Sequence, residues 1–298
     1  MEIQKLLSTN NLTKTYGNTV ALSNFSIEVS KGQVLGILGP NGSGKTTLLS
    51  VVMGLRYPTS GDFAWFNTLP NQTPNRKIGA LIEVPTFYPY LSLLDNLRIS
   101  ALAKDINYNE IFPALELAGL SANLKAKLSS FSLGMKQRMA IAQALLGNPD
   151  IIVLDEPTNG LDPEGIVEVR NLIKKLNAGG TTIILASHNL DEVQRTCTHV
   201  AVLKKGHLQA YGSVNELLTS AKMAIVSIKN PDALFEYLNV NPDIEVIEQQ
   251  GNTFKLMVNK SEQQVTLLND FQTYGIAISS FEIRNLNLEE LFIKLVRK

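Results

Sequence analysis

The chain has 298 residues, of which 44% are hydrophobic and 18% charged, and its 27 basic side chains balance 27 acidic ones. Such a composition describes a globular protein with room for one large domain and a smaller companion, and its neutrality argues against an extended nucleic-acid surface. A lone cysteine, Cys197, excludes an internal disulfide framework and suits a reducing cytosol; Met1 is not followed by the apolar core of a secretory signal, and no apolar run is long enough to span a bilayer.

In chain order, Leu12 to Tyr16, Val20 to Val29 and Gln33 to Leu38 alternate or run apolar and predict strands, with further strands over Gly61 to Asn67 and Ile78 to Glu83. From Leu91 to about Leu146 the apolar spacing turns helical, with Ser92 and Asp95 set as a capping box ahead of it. Asp150 to Leu154 and Thr181 to Ala186 return as short apolar strands with a helix between them. Strands buried on both faces and alternating with helices predict a parallel sheet, hence an α/β fold. The chemistry-bearing residues end near Leu217 to Lys222, which divides the chain into 1–220 and 221–298. Beyond that boundary the pattern reads strand, helix, two strands, helix, strand from Met223 to Ile283, the ferredoxin-like order, with a last helix over Leu288 to Val296.

Gly39-Pro40-Asn41-Gly42-Ser43-Gly44-Lys45-Thr46-Thr47 contains the complete phosphate-cradling pattern, between the strand Val34 to Leu38 and the helix that opens at Leu48. Glycines let successive N–H groups converge on phosphate oxygens, and the helix start adds its positive dipole end. Lys45 has the reach for the β/γ-phosphates, and the Thr46 hydroxyl can bind Mg²⁺. A plain glycine turn has no need of Lys-Thr at that spacing, so the chain is expected to bind a nucleoside triphosphate. Ile151 to Leu154 is an apolar strand ending in Asp155 and Glu156, which can serve as a Mg²⁺ ligand and as the base that polarises an attacking water. Solvated acids at a strand end are the bland alternative; the complete loop upstream and the Pro157-Thr158-Asn159-Gly160-Leu161-Asp162 run behind them favour the chemical reading.

Phe131-Ser132-Leu133-Gly134-Met135, the Asp155 to Asp162 run and Ser187-His188, in that order after the glycine loop, closely resemble an ABC-type ATPase domain over roughly residues 5 to 220. The resemblance implies a P-loop ABC ATPase fold: a mixed sheet core, an antiparallel β subdomain and a helical subdomain at about 84–148. It also implies a head-to-tail dimer of two copies enclosing two ATP molecules, in which Ser132 and Gly134 contact the ATP held by the partner's loop. Ser132 reads equally as an N-cap of the following helix. Against the family's Leu-Ser-Gly-Gly-Gln signature, Phe131, Leu133 and Met135 depart. By the same resemblance Tyr16 stacks on adenine (its alternative is an ordinary strand-end tyrosine), His188 holds the attacking water in line, Asp162 belongs to the loop between the two sites, and Glu156 and Lys45 are catalytic. Where the family usually has a glutamine at the Mg²⁺ site this chain has Glu83, a variant seen in exporters similar to the bacitracin and lantibiotic self-protection type. Metal ligands are thus expected at Thr46, Glu83 and Asp155, with ATP and Mg²⁺ as cofactors. Integral membrane permease subunits are the expected partners, which would hold the chain on the cytoplasmic face of the membrane, and no nucleic-acid partner is expected. The rival reading is a soluble ABC ATPase of translation or DNA repair, which would ordinarily carry tandem domains or a long insertion. A second rival, an ATP sensor without turnover, conflicts with Asp155, Glu156 and His188.

Overall fold

In the computed structural model, which describes residues 4–68, 77–82, 87–258 and 263–297, the N-terminal strands run longer than their periodicity suggests. Strand β1 (Lys5–Tyr16) pairs with β2 (Thr19–Ser30), then come β3 (Val34–Leu38), helix α1 (Lys45–Val52) and β4 (Ser60–Trp65). β1 is the middle strand of the antiparallel sheet β2-β1-β4, and pairing on both edges extends it back from Leu12 to Lys5. In its first half Leu6 and Leu7 are both buried and Asn10 and Asn11 both exposed, so strict alternation fails there and sequence periodicity found only Leu12 to Tyr16. The inner face of this sheet supplies Leu12, Leu22 and Phe25 to one core with Leu35, Ile37 and Leu49 of β3 and α1. Each such side chain contributes about 1.5–3 kcal/mol by leaving water. Trp65 pins the far end of α1, its indole donating to Val52 O at 2.7 Å.

The second sheet holds six strands: β3, β5 (Ile78–Leu81), β6 (Ile151–Asp155), β7 (Thr182–Ser187), β8 (His199–Lys204) and β9 (His207–Ser213). Their order is β5-β6-β7-β3-β8-β9. From β5 to β8 neighbours run parallel, and every residue of β3, β6 and β7 is buried, as their apolar composition requires. The hairpin of β8 and β9, unread in the sequence, turns through Lys205 and Gly206, both at positive φ (47° and 80°). The helical stretch resolves into α2 (Leu93–Ala103), α3 (Ile111–Leu117) and α4 (Leu133–Leu145), with single 3₁₀ turns between. Ser92 caps α2 as the capping-box pattern indicates, accepting from Asp95 N at 3.1 Å. Helix α5 (Pro163–Ala178) links β6 to β7, and α6 (Leu190–Thr196) links β7 to β8.

Two compact units emerge, 1–211 and 212–298. The division falls ahead of residue 220, because α7 (Val214–Thr219) meets the last helix, α10 (Leu288–Arg297), within the second unit. That unit runs β10 (Lys222–Ile228), α8 (Pro231–Val240), β11 (Ile244–Gln250), β12 (Thr253–Val258), α9 (Gln263–Thr273) and β13 (Ile278–Asn285). Its antiparallel sheet has the order β11-β12-β10-β13, the ferredoxin-like arrangement expected from the element sequence. Val226, Leu234, Tyr237, Phe254 and Phe271 form a core of its own.

Candidate active site

The strand order decides which residues meet. β6, β7 and β3 are neighbours, so the segments leaving their carboxyl ends emerge side by side: Glu156 after β6, His188 after β7 and the glycine loop after β3. Carboxyl ends of parallel strands are where open α/β sheets bind ligands.

The loop wraps the start of α1. Gly44, its N-cap, has φ of 108°, and a Cβ there would lie 2.4 Å from Ala21 O; a Cβ on Gly39 would lie 2.2 Å from Ser43 Oγ. Only glycine fits at either place. The first N–H groups of α1 have no helical carbonyl to bond and form an anion-binding end. Lys45, only 6% exposed, lies among oxygens: its ammonium donates to Gly39 O at 2.8 Å and Pro40 O at 3.4 Å, with Glu156 Oε1 at 3.7 Å. A pocket of about 390 Å³ joins Tyr16, Asn41, Gly42, Ser43, Gly44, Lys45, Thr46, Thr47 and Glu156. Tyr16, at the end of β1, lies within 5.1 Å of Lys14 Nζ and 5.6 Å of the Arg56 guanidinium, so its ring face already receives cations.

Glu156 holds a left-handed backbone, φ 48°, fixed by its N–H donating to Ala186 O at 2.9 Å. Such strain in a non-glycine residue is characteristic of functional positions. Its Oε2 bonds His188 Nδ1 at 2.9 Å, so the carboxylate spans from the lysine to the histidine. Asp155, nearly buried, ends β6 beside it. Thr46 and Asp155 offer a hydroxyl and a carboxylate, the hard oxygen donors that suit Mg²⁺. No group of three His, Cys, Asp or Glu side chains able to hold a metal occurs among the described residues. Glu83, the remaining metal-ligand candidate, lies outside the described residues.

Ser132 and Gly134 do not join this pocket. Ser132 caps α4, its Oγ accepting from Met135 N at 3.2 Å. With Gly134 it lines a separate hollow of about 440 Å³, facing Gly160, Asp162 and Gly165. Asp162 caps α5, accepting from Gly165 N at 2.9 Å.

The fold region carrying these residues matches known proteins. The family model described as "ABC transporter" fits residues 22–159, and a model described as "ATP-binding protein DrrA1-3-like, C-terminal domain" fits 212–296. The bacitracin transport ATP-binding protein BcrA of Enterococcus faecalis is 33% identical over 302 residues, spanning 99% of this chain and 98% of that protein. The chain belongs to the ABC transporter ATP-binding family. The lantibiotic transport ATP-binding protein SrtF of Streptococcus pyogenes is 38% identical over 203 residues, covering 68% of this chain and 89% of that protein. Among solved structures, a dimeric post-hydrolysis ATP-binding cassette bound to ADP and Pi superposes with a TM-score of 0.63 at 29% identity, over 70% of this chain and 99% of that one. The protein is therefore an ATP-binding, ATP-hydrolysing transport subunit that uses Mg²⁺. The translation and DNA-repair alternative gains no support from these relatives.

The sequence shows Thr158 only as one member of the run behind Glu156 and gives Glu192 no place in the site. Thr158 and Glu192 are buried, and the Thr158 hydroxyl donates to Glu192 Oε2 at 2.5 Å. Burial raises the Glu192 carboxyl above its ordinary value and outweighs the Thr158 bond and the charge of Arg170, which pull it down. The one signal in the sequence was Asn189-Leu190-Asp191-Glu192, a helix start with an acid at the third position, which reads only as a cap.

Proposed function

We propose that two copies of this chain close head to tail around two ATP molecules and that closure and reopening drive export through separate membrane subunits. The observation that carries this reading is that the glycine-loop pocket and the Ser132 hollow share no lining residue. A serine hydroxyl and a glycine amide at a helix start suit phosphate, yet within one copy they face Asp162 and Gly165 instead. A second copy, turned head to tail, would bring that helix start against the ATP on the loop.

Within each closed site Lys45 balances charge on the β- and γ-phosphates, and Tyr16 offers its ring to the adenine. Thr46 and Asp155 would hold Mg²⁺, which supplies further charge neutralisation when bound. Glu156 accepts a proton from the attacking water, and His188, hydrogen-bonded to it at 2.9 Å, keeps its carboxylate aimed. Glu83 would make turnover depend more on the membrane partner, since a carboxylate lacks the amide donor of a glutamine.

No helix among the described residues is long and apolar enough to cross a membrane, so transport requires a partner that does. The exposed pair Tyr88 and Tyr90, packed edge to face at 6.0 Å, and the adjoining hollow of about 270 Å³ with Ile99 and Lys104 suit a short helix of such a permease. Docking there would hold the chain on the cytoplasmic face. Mixing two inactive variants tests the composite site. Lys45→Ala damages one half of it and Ser132→Arg the other, so a mixed dimer retains one intact site and ATPase activity returns on mixing. Absence of any recovery, with both variants shown by cross-linking to exchange subunits, would refute the arrangement.

A further inference from the structure

Glu192 is a fully buried carboxyl to which the chemistry described above gives no role. One oxygen accepts from Thr158, and its other, Oε1, has no hydrogen-bond partner among the described residues. Nearby Arg170 Nε is likewise buried without one. Leaving a buried carboxyl half satisfied is unfavourable, a cost that an apolar residue of similar size would avoid. The hydrogen bond from Thr158 joins two buried side chains 34 positions apart in the chain.

The geometry around it closes a circuit. Glu156 Oε2 bonds His188 Nδ1 at 2.9 Å. Next to His188, Asn189 accepts from Glu192 N at 3.2 Å, and its own N–H donates to Ser187 Oγ at 3.0 Å, so the start of α6 is fixed relative to the histidine. The Glu192 carboxylate then holds Thr158, which lies two positions after Glu156 in the same turn, where Asn159 N donates back to Glu156 O at 3.1 Å. We propose that Glu192 is a positioning residue for ATP hydrolysis: through Thr158 it ties the turn carrying Glu156 to the helix start carrying His188, and so sets the distance and angle between the two. This rests on the reading that Glu156 and His188 act together. It also explains how Glu156 keeps a left-handed backbone, since the turn is held from both ends.

The test compares Thr158→Val, Glu192→Ala, their double variant and Glu192→Gln, with Glu156→Gln as a control for the underlying reading. Thr158→Val keeps the shape and removes only the hydroxyl, so it answers even if Glu192→Ala folds poorly. Expected is a fall in kcat of about tenfold for Thr158→Val and Glu192→Ala, with KM for ATP within about twofold of the parent. The double variant should lose no more than the worse single change. Glu192→Gln, whose amide oxygen still accepts the hydroxyl, should recover most of the rate. Parental kcat in Thr158→Val, or losses that multiply in the double variant, would overturn the proposal while Glu156→Gln remains inactive. If Glu156→Gln itself turns over at the parental rate, the assignment of the base fails instead.

Discussion

Ser132→Asp separates two roles that one hydroxyl at the start of α4 can serve. As a cap, Ser132 accepts the Met135 N–H at 3.2 Å. Removing it in Ser132→Ala should lower stability by about 1 kcal/mol, a shift of roughly 2–4 °C in the melting midpoint of a domain of this size. Aspartate is as good a cap as serine, so Ser132→Asp should restore most of that loss. Hydrolysis should respond the other way. A lost hydrogen bond to a charged phosphate is worth about 1.5–3 kcal/mol, so Ser132→Ala should slow turnover by about ten- to a hundredfold. In the proposed dimer the aspartate sets a further negative charge against the γ-phosphate. At about 4 Å and an effective dielectric constant near 20 that repulsion is about 4 kcal/mol, so Ser132→Asp should be slower still although it melts like the parent. Thermal unfolding followed by circular dichroism gives the first quantity, and a coupled phosphate-release assay at saturating ATP gives the second. Parental turnover in Ser132→Asp, or stability loss without activity loss in Ser132→Ala, would show that the hydroxyl is a cap alone.

The second unit has its own core, so Phe254→Ala, which empties a fully buried site there, should remove about 3–5 kcal/mol from that unit; calorimetry should show one transition lowered and the other unmoved. Glu290 provides a pH test. Burial alone would raise its carboxyl, but the Arg284 fork at 2.6 and 2.9 Å and the Asn287 N–H at 3.0 Å outweigh that and hold it below the ordinary value. A carboxyl depressed in the folded state contributes its stability above the unfolded pKa and loses it as pH falls through the folded one. Denaturant midpoints of this unit should therefore drop as pH falls below the ordinary carboxylate range, and Glu290→Gln should flatten that drop.

The contrast between Lys45 and Glu192 shows how far the sequence could be read. The phosphate loop is contiguous, and its glycines, lysine and threonine each answer a local demand of the strand-to-helix turn, so it could be read directly. Asp155 and Glu156 were legible for the same reason, standing directly after the apolar run Ile151 to Leu154. The caps Ser92 and Ser132 were legible because a cap bonds only within its own first turn. Glu192 reads in sequence as one more acid on a helix; only its contact with Thr158, 34 positions away, makes it part of the site. The early half of β1 was hidden because Leu6 and Leu7 are both buried and Asn10 and Asn11 both exposed, which breaks alternation, and the β8–β9 hairpin by strands whose pairing depends on β3.

The phosphate loop, the acid pair, the histidine after its strand and the caps at Ser92 and Ser132 were determined by the sequence alone, because each is a short-range arrangement; the helix after the loop, read from Leu48, begins at Lys45, within the phosphate pattern itself. The tertiary structure decided that β6, β7 and β3 lie side by side, which brings Glu156 within 3.7 Å of Lys45 and 2.9 Å of His188. It also decided that Ser132 and Gly134 line a hollow apart from that pocket. Strand order and hollows are set by which buried faces fit together across long separations, and nothing within a few residues of any one of these side chains encodes them.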